Sequence, residues 1–561
     1  FIMDTNRYLK KLDHAIPKKA HNYMLSTYSI ILEAWRRGLN INIRIVREAS
    51  GKIEPYYTIS DGNKKHHFST TRGDFVSRES IDATKDKQTA KNYLLKNNVP
   101  TPIGKSFDEN ISDSEIVQYA EEIGYPVVIK PLKGTGGRGV IANIKEKEDL
   151  INSLKYVRGK LKSPHIILEK HFAGDDYRLY VIGDEVVGAI KRIKANVIGD
   201  GKSTINQLVK EKNKRRQKLP ALSNRPIKLD NETDMLLKNN GYDRNSIPAK
   251  GEIVYLKSKN NVSSGGDSVD VTDQVSENIK QIAIEATKSF PSLPQAGVDL
   301  MVNEENDTAV VIELNSRAHI TSHLFPMVGQ ARDIPSKIVD FYFPDSKEYN
   351  REDTQKLYID FDFIYNSCLS RVARDITIPK IAQTPIVLKR HLVTHCSYST
   401  KLANRVRRAA FNNHVSGYIK QLKNGDIAIV SGGNSKRVDK FIEQMKKRIL
   451  KLEPNAKFIE KKRTSPIKHG FHIESPNITS TTDGPVDLNN PDIYIQKYAN
   501  LKHDYQRLIR RLAQYEQKER VMEITKKQNF QLKKQITQLK SSTSWKVTKP
   551  IRKLGNLLKK K

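Results

Sequence analysis

The chain has 561 residues, 37% of them apolar and 29% charged, with 97 Lys and Arg against 63 Asp and Glu for a formal net charge of +34. That length predicts two or three globular units with extensions, and the charge favours anionic partners: nucleic acid, an acidic membrane surface or a polyanionic polymer. No run of eighteen apolar residues is present, and Cys368 and Cys396 are too few for a disulfide framework and match no metal-ligand spacing, so a reducing interior is the default compartment.

Residues 1–80 alternate a helical pattern ("YMLSTYSIILEAWRRG") with short strands ("INIRIV", "YYTIS"), which predicts a small α/β unit; the opening "FIMDTNRYLKK" is too short in its apolar part for a signal peptide. Residues 81–345 carry the apolar runs "PVVIKP", "HIILEKHF", "YRLYVIGDEVVGAIKRI", "QAGVDLMV" and "TAVVIELN" between amphipathic helices, an α+β pattern with antiparallel sheets. A connector follows over 346–385. Residues 386–474 then read strand, helix, strand pair about Asn424-Gly425, helix, strand, the βαββαβ order of a ferredoxin-like sandwich. The stretch 475–492, rich in Ser, Thr, Asn and Pro, reads as a linker. Over 493–540, Tyr494, Tyr498, Leu501, Tyr505, Leu508, Leu512 and Tyr515 form a heptad seam that resumes at Leu532, Ile536 and Leu539; this fits a coiled coil joining a homodimer, or one amphipathic helix lying on another domain. From residue 493 onward there are nineteen Lys and Arg against four Asp and Glu, and 541–561 mixes cations with Trp545, Ile551 and Leu554, which fits interfacial membrane binding or a solvated basic end.

The stretch "YPVVIKPLKGTGGRGV" spaces Gly134, Gly136 and Gly139 as G-x-G-x-x-G after an apolar strand. A dinucleotide site needs the last glycine to open a helix whose amides meet the pyrophosphate. Here "VIANI" follows, a β-branched run that predicts a second strand, so the loop is a glycine-rich hairpin; no Gly-Lys-Ser/Thr makes it a Walker loop. Such a hairpin can fold over phosphates, with Lys130 at the end of the preceding strand to neutralise them. Glu169 ends another strand, the backbone of 170–172 can read an adenine edge, and Asp176 is spaced to meet a ribose. Glu313 and Asn315 share one face of a strand and, with Asp299, form an oxygen-only set suited to Mg²⁺ shared with phosphates.

In this order those residues resemble the ATP-grasp family, through "DKQTAKNYLLKNNVPTP", "PVVIKPLKGTGGRGV", "LEKHFAGDDYRLYVI", "GVDLMV" and "IELN". The stretches "RIKANVIGDGKSTINQL", "SSGGDSVDVTD" and "HLFPMVGQARDIPSKIVDFYFP" are similar to the branch holding cyanophycin synthetase and bifunctional glutathione synthetase. The resemblance implies an ATP-grasp fold over 81–345 with residues 1–80 as its pre-ATP-grasp unit. It implies that Lys87 and Lys130 bind ATP phosphates under a lid of Gly134, Gly136, Gly137 and Gly139, that Glu169 and Phe172 meet the adenine, and that Asp176, where Glu is more usual, meets the ribose. Asp299, Glu313 and Asn315 would hold Mg²⁺, with Mn²⁺ as an alternative. Arg192 and Arg317 would serve catalysis, Arg192 as a phosphoryl or acyl-phosphate clamp, while Ser264 to Asp267 with Arg317 and His319 would border an acceptor pocket. The implied reaction is an ATP-dependent ligation of a carboxylate to an amine through an acyl phosphate, in the cytoplasm or at the inner face of the membrane. Amino acids or peptides destined for a cell-envelope polymer are the expected substrates; the alternative is modification of a ribosomal or nucleic-acid-associated protein.

Residues 387–473 resemble acylphosphatase through "RRAAFNNHVSGYIKQLKNGDIAIVSGG" and "HGFHI". Active members of that family hold phosphate with an Arg and position water with an Asn; here Ala403 and Gln421 stand at those places. Without a guanidinium the expectation is a degenerate module used for binding or packing, although hydrolysis of acyl phosphates is a third reading.

Overall fold

The computed structural model describes residues 8–132, 139–381, 385–474, 524–525 and 528–548, which fall into two units, 1–476 and 477–561.

The helix Met24–Arg36 is buried from Leu25 to Arg36: its broad apolar face meets the core, and Ser26, Ser29, Glu33 and Arg36 on the remaining sector are buried with hydrogen-bond or ion-pair partners. Its Glu33 is ion-paired to Lys11 at 2.6 Å and Arg37 at 2.8 Å. The helix packs on a five-stranded antiparallel sheet in the order Ile376–Ile378, Asn40–Arg47, Ile53–Ser60, Lys65–Ser69, Arg72–Gly73. Along Asn40–Arg47 the period-two pattern sends Ile41, Ile43 and Ile45 into the core. The first strand in that order comes from the segment read from sequence as a connector: Ile376 pairs with Ile43 and Ile378 with Ile41.

Two further antiparallel sheets follow. A four-stranded sheet runs Gly104–Phe107, Ile166–Lys170, Val127–Pro131, Ile141–Ile144, backed by the helices Asp113–Ile123 and Lys147–Leu154. Ile141 pairs with Ile129, so the glycine-rich stretch does join two strands of a hairpin. Gly139 has φ +75°, and a Cβ there would stand 2.8 Å from Pro131 Cγ. Gly134, Gly136 and Gly137 lie outside the described residues. The larger sheet runs Asp267–Asp270, Glu185–Ile193, Asp175–Ile182, Gln295–Asn303, Thr308–Asn315. Tyr177, Leu179, Val181, Val298 and Leu300 point to one core, covered by the helix Glu277–Lys288. Strand alternation therefore turns Asp176, Arg178 and Asp299 to the opposite face.

The last sheet of this unit runs Lys457–Lys461, Ile386–Thr394, Ile427–Asn434, Ser416–Gln421, Phe471–Glu474, with the helices Thr400–Asn412 and Ser435–Leu450 packed against it. This realises the βαββαβ order, with Phe471–Glu474 added as a parallel edge beside Ser416–Gln421. Leu357–Tyr358 pairs in parallel with Ile467–Lys468, and Trp35 Nε1 donates to the Pro379 carbonyl at 2.8 Å.

In the second unit residues 528–541 are helical, with Leu532, Ile536 and Leu539 about half exposed, and Thr543–Val547 is a short helix. The heptad positions from Tyr494 to Tyr515 lie outside the described residues. Among the described residues no helix is long and apolar enough to cross a membrane.

Candidate active site

The helix Lys87–Lys96 begins where Asp86 accepts a hydrogen bond from the Thr89 N–H, a side-chain N-cap. Lys87 and Lys91, one turn apart, share the face that lines a small cavity with Lys130, Glu169 and Glu313. Lys130 Nζ lies 2.6 Å from Glu169 Oε2, and Lys91 Nζ lies 3.0 Å from Glu169 Oε1. Lys91 also donates to the Pro102 carbonyl at 2.6 Å. Burial pushes the Glu169 carboxyl up, but Lys130 and Lys91 outweigh it and hold it below its ordinary value. Burial also lowers Lys87, and the neighbouring Lys130 charge adds to that. Three ammonium groups thus share this cavity with two carboxylates, the buried Glu169 and the exposed Glu313, an arrangement with positive charge to spare. Phe172 is half-buried just past the Ile166–Lys170 strand.

On the polar face of the large sheet, four charges interlock. Arg178 donates from Nε and Nη2 to the two oxygens of Asp299 at 2.6 and 2.7 Å. Arg192 donates to Asp176 Oδ1 at 2.9 and 2.5 Å and reaches Asp299 Oδ2 at 3.2 Å. Burial raises Asp299, yet Arg178 and Arg192 together hold it below the usual carboxylate range. For Asp176 burial prevails: the carboxyl is raised despite Arg192, with Asp299 adding repulsion. Glu313 pairs directly across the strands with Asp299 and Asn315 with Gly297, so the expected shared direction of Glu313 and Asn315 holds. A bulge just before Glu313 shifts the register and leaves both Ile312 and Glu313 exposed.

The roles implied for Asp176, Arg192 and Asp299 are separate, but the structure ties the three together. Asp176 meets a guanidinium where a ribose contact was expected, and Asp299 is forked by Arg178. Among the described residues no cluster of three or more His, Cys, Asp or Glu side chains is arranged around a metal position. Arg317 sits at the edge of this face, donating to Glu54 Oε2 and Ser69 Oγ at 3.0 Å each, while its backbone N–H donates to Asn315 Oδ1. His319 lies 3.3 Å from Ser26 Oγ; burial, followed by the Arg225 charge, lowers it to about 3. Asp267, expected at the acceptor pocket, is bound instead by Lys212 at 2.5 Å and by Asn196 at 3.0 Å, with Arg216 beside it, under the inserted helix Ile205–Lys218.

Sequence reasoning missed Lys91, Arg178 and Glu54. The first stands one turn from Lys87 and the second two strand positions from Asp176, so both spacings carried the signal. Glu54 was marked by nothing local. In the last domain Ala403 is fully buried in the helix core, with Leu402 and Val406, and Gln421 ends its strand.

The family model described as carbamoyl-phosphate synthase L chain, ATP binding domain, matches residues 86–209, and the acylphosphatase model matches residues 403–473. A glutathione biosynthesis bifunctional protein of Clostridium perfringens is 34% identical over 57% of this chain and 41% of its own length. A cyanophycin synthetase of Trichormus variabilis is 30% identical over 57% of this chain and 35% of its own. The crystal structure of a bifunctional glutathione synthetase from Pasteurella multocida is 27% identical, covering 52% of this chain and 41% of that one at a TM-score of 0.42. The chain thus spans about two-fifths of the length of such curated relatives. It joins an ATP-grasp domain, homologous to the corresponding part of cyanophycin synthetase and of the bifunctional glutathione enzymes, to an acylphosphatase domain.

Proposed function

We propose that the chain is an ATP-dependent carboxylate–amine ligase acting on amino acids or peptides. The observation that carries this is the surplus of ammonium groups about Glu169, the buried Lys91 and Lys130 with the half-buried Lys87, in a cavity that Glu313 of the large sheet also lines. Uncompensated cations in a low-dielectric cleft are costly unless an anion joins them, and a triphosphate fits that need.

The substrate carboxylate takes the terminal phosphoryl group of ATP, giving ADP and an acyl phosphate, and an amine then displaces phosphate to leave an amide. Nothing in this sequence needs a protein nucleophile; it needs charge held in place. Lys87 and Lys130 neutralise phosphate oxygens, Glu169 orients Lys130, and Arg192 and Arg178 stabilise the charge that builds during transfer. Glu313 and Asn315 would hold Mg²⁺ or Mn²⁺, which supplies further charge neutralisation on the phosphates; Asp299 joins them only when a guanidinium releases it. Arg317 and His319, at the seam with the first sheet, suit the carboxylate-bearing substrate. The exposed Leu532, Ile536 and Leu539 stripe suits pairing with a second copy, and the cationic C-terminal end suits an anionic membrane or polymer where envelope material is built.

The test is an ADP-release screen over amino acids and dipeptides with mass spectrometry of the products. Release that requires both a carboxylate and an amine, yields a product lighter than the sum of the two by one water, and disappears in Lys130→Ala supports the reading. No release across the panel refutes it.

A further inference from the structure

A cavity of about 730 Å³ lies away from the ligase cleft. It opens between the acylphosphatase domain and a wall that includes Leu357 and Pro379 to Ile381. Neither Ala403 nor Gln421, the positions corresponding to acylphosphatase chemistry, lines it. Gln421 ends the strand whose opposite end, Ser416, borders the cavity, and Ala403, although it precedes the lining Asn404 on the helix Thr400–Asn412, turns into the domain core.

Its lining has a chemistry of its own. Arg407, Arg408, Arg437 and Lys380 line it, and no Asp or Glu does. Among the described residues none of these four cations is ion-paired; Arg407 only donates to Asn404 at 3.0 Å. Phe411 stands one turn beyond Arg407 and Arg408 on the helix Thr400–Asn412, and is 79% exposed although every other large apolar side chain of that helix is buried. An aromatic ring at the mouth of an arginine-lined hollow, with Leu357 and Ile381 behind it, offers a stacking surface next to bidentate phosphate donors.

We propose that this cavity binds a phosphorylated small molecule with a planar group, the phosphates meeting Arg407, Arg408 and Arg437 and the planar group stacking on Phe411. Guanidinium forks match phosphate geometry, and the volume lies within the range of small-molecule sites rather than of an extended polymer track. Because Pro379 to Ile381, just after the strand Ile376–Ile378 of the first sheet, form part of one wall, the bound molecule would bridge the acylphosphatase domain to that sheet.

The experiment uses the full chain without divalent metal, with pyrophosphate and uridine 5′-diphosphate as probes in equilibrium dialysis. The proposal expects both to bind and Arg407→Gln/Arg437→Gln to weaken both at least tenfold. Phe411→Ala should weaken uridine diphosphate about tenfold and pyrophosphate less than twofold. The same measurements are repeated in a Lys130→Met background, which removes any phosphate binding by the ligase cleft; the arginine-dependent binding of both probes should persist there. All substituted cavity residues are exposed, so folding is preserved. The proposal is overturned if neither probe binds at millimolar concentration, if the arginine pair has no effect, or if Lys130→Met abolishes binding and so moves it to the ligase cleft. Arginine-dependent binding of a single-stranded oligonucleotide with no binding of the two small probes overturns it in favour of a polymer site.

Discussion

Replacing Lys130 by Met separates a cation that serves phosphate from one that serves the fold. Met keeps the aliphatic stem in its buried position and removes only the ammonium group. Glu169 then loses the donor at 2.6 Å but keeps Lys91 at 3.0 Å, so the stability cost is that of one charge-assisted bond, about 1.5–3 kcal/mol, and not the 3–5 kcal/mol of a buried carboxylate left alone. Loss of a preorganised charge at the phosphates should cost about 3–4 kcal/mol in the transition state, a 10²–10³-fold fall in ADP formation. Lys91→Met is the matched control. Lys91 divides its donors between Glu169 and the Pro102 carbonyl, so its loss should cost a similar amount of stability and, since Lys130 still faces the phosphates, less than about tenfold in rate. Both variants are read by thermal melting and by steady-state ADP release. If Lys130→Met lowers the melting temperature while ADP release stays within threefold of the parent, the cluster is structural and the reasoning fails.

Asp299→Asn leaves Arg178 facing a neutral partner while Arg192 keeps Asp176, and should destabilise the chain by about 1.5–3 kcal/mol in denaturant titration; a change under 1 kcal/mol would contradict the ion-pair geometry. Ala403→Arg, the substitution that sequence comparison suggests for restoring acylphosphatase chemistry, forces a long side chain into a fully buried position. It should destabilise by at least about 1–3 kcal/mol and yield no acetyl phosphate hydrolysis, and hydrolysis in that variant would be decisive against this placement. His323 is fully buried, neither ring nitrogen has a partner among the described residues, and burial lowers it to about 3. Its unfolded form binds a proton near pH 6.5, so the neutral form's stability is complete above that value and is lost as pH falls towards 3. At pH 5 the loss is about 2 kcal/mol. His323→Leu should therefore be less pH-sensitive between pH 7 and 5 by that amount, and equal slopes for parent and variant would exclude the effect.

The ATP-grasp fold was legible because its signals are local and physical. Strand alternation put Glu313 and Asn315 of "VVIELN" on one face, and a β-branched run after Gly139 ruled out a helix there. The site was legible only as a set of types. Lys130 and Glu169 were assigned separate tasks, yet they touch, since the contact depends on two strands lying side by side, which spacing along the chain does not encode. Lys91 escaped notice because a lysine on a helix is usually solvated, and only the packing of that helix on the core of the large sheet, beside the strand Thr308–Asn315, brings it to Glu169. Arg178 was hidden among the apolar residues of its strand. Least legible was "DITIP": three residues are too few to announce a strand, and their partner, Ile41 to Ile43, lies more than three hundred positions earlier.

That late return of the chain to its first sheet bears on how the protein can be divided. Ile376–Ile378 closes one edge of the N-terminal sheet, Leu357–Tyr358 ties the same segment to Ile467–Lys468, and Trp35 is held from both sides, by the Pro379 carbonyl and by the ring of His469. Cutting after the ATP-grasp motifs would bare the backbone of Asn40–Arg47 as an unpaired edge, a template for aggregation. The two domains thus share their cooperativity: they are expected to melt together, and a recombination event that borrowed the ATP-grasp domain without residues 357–474 would inherit an incomplete first sheet.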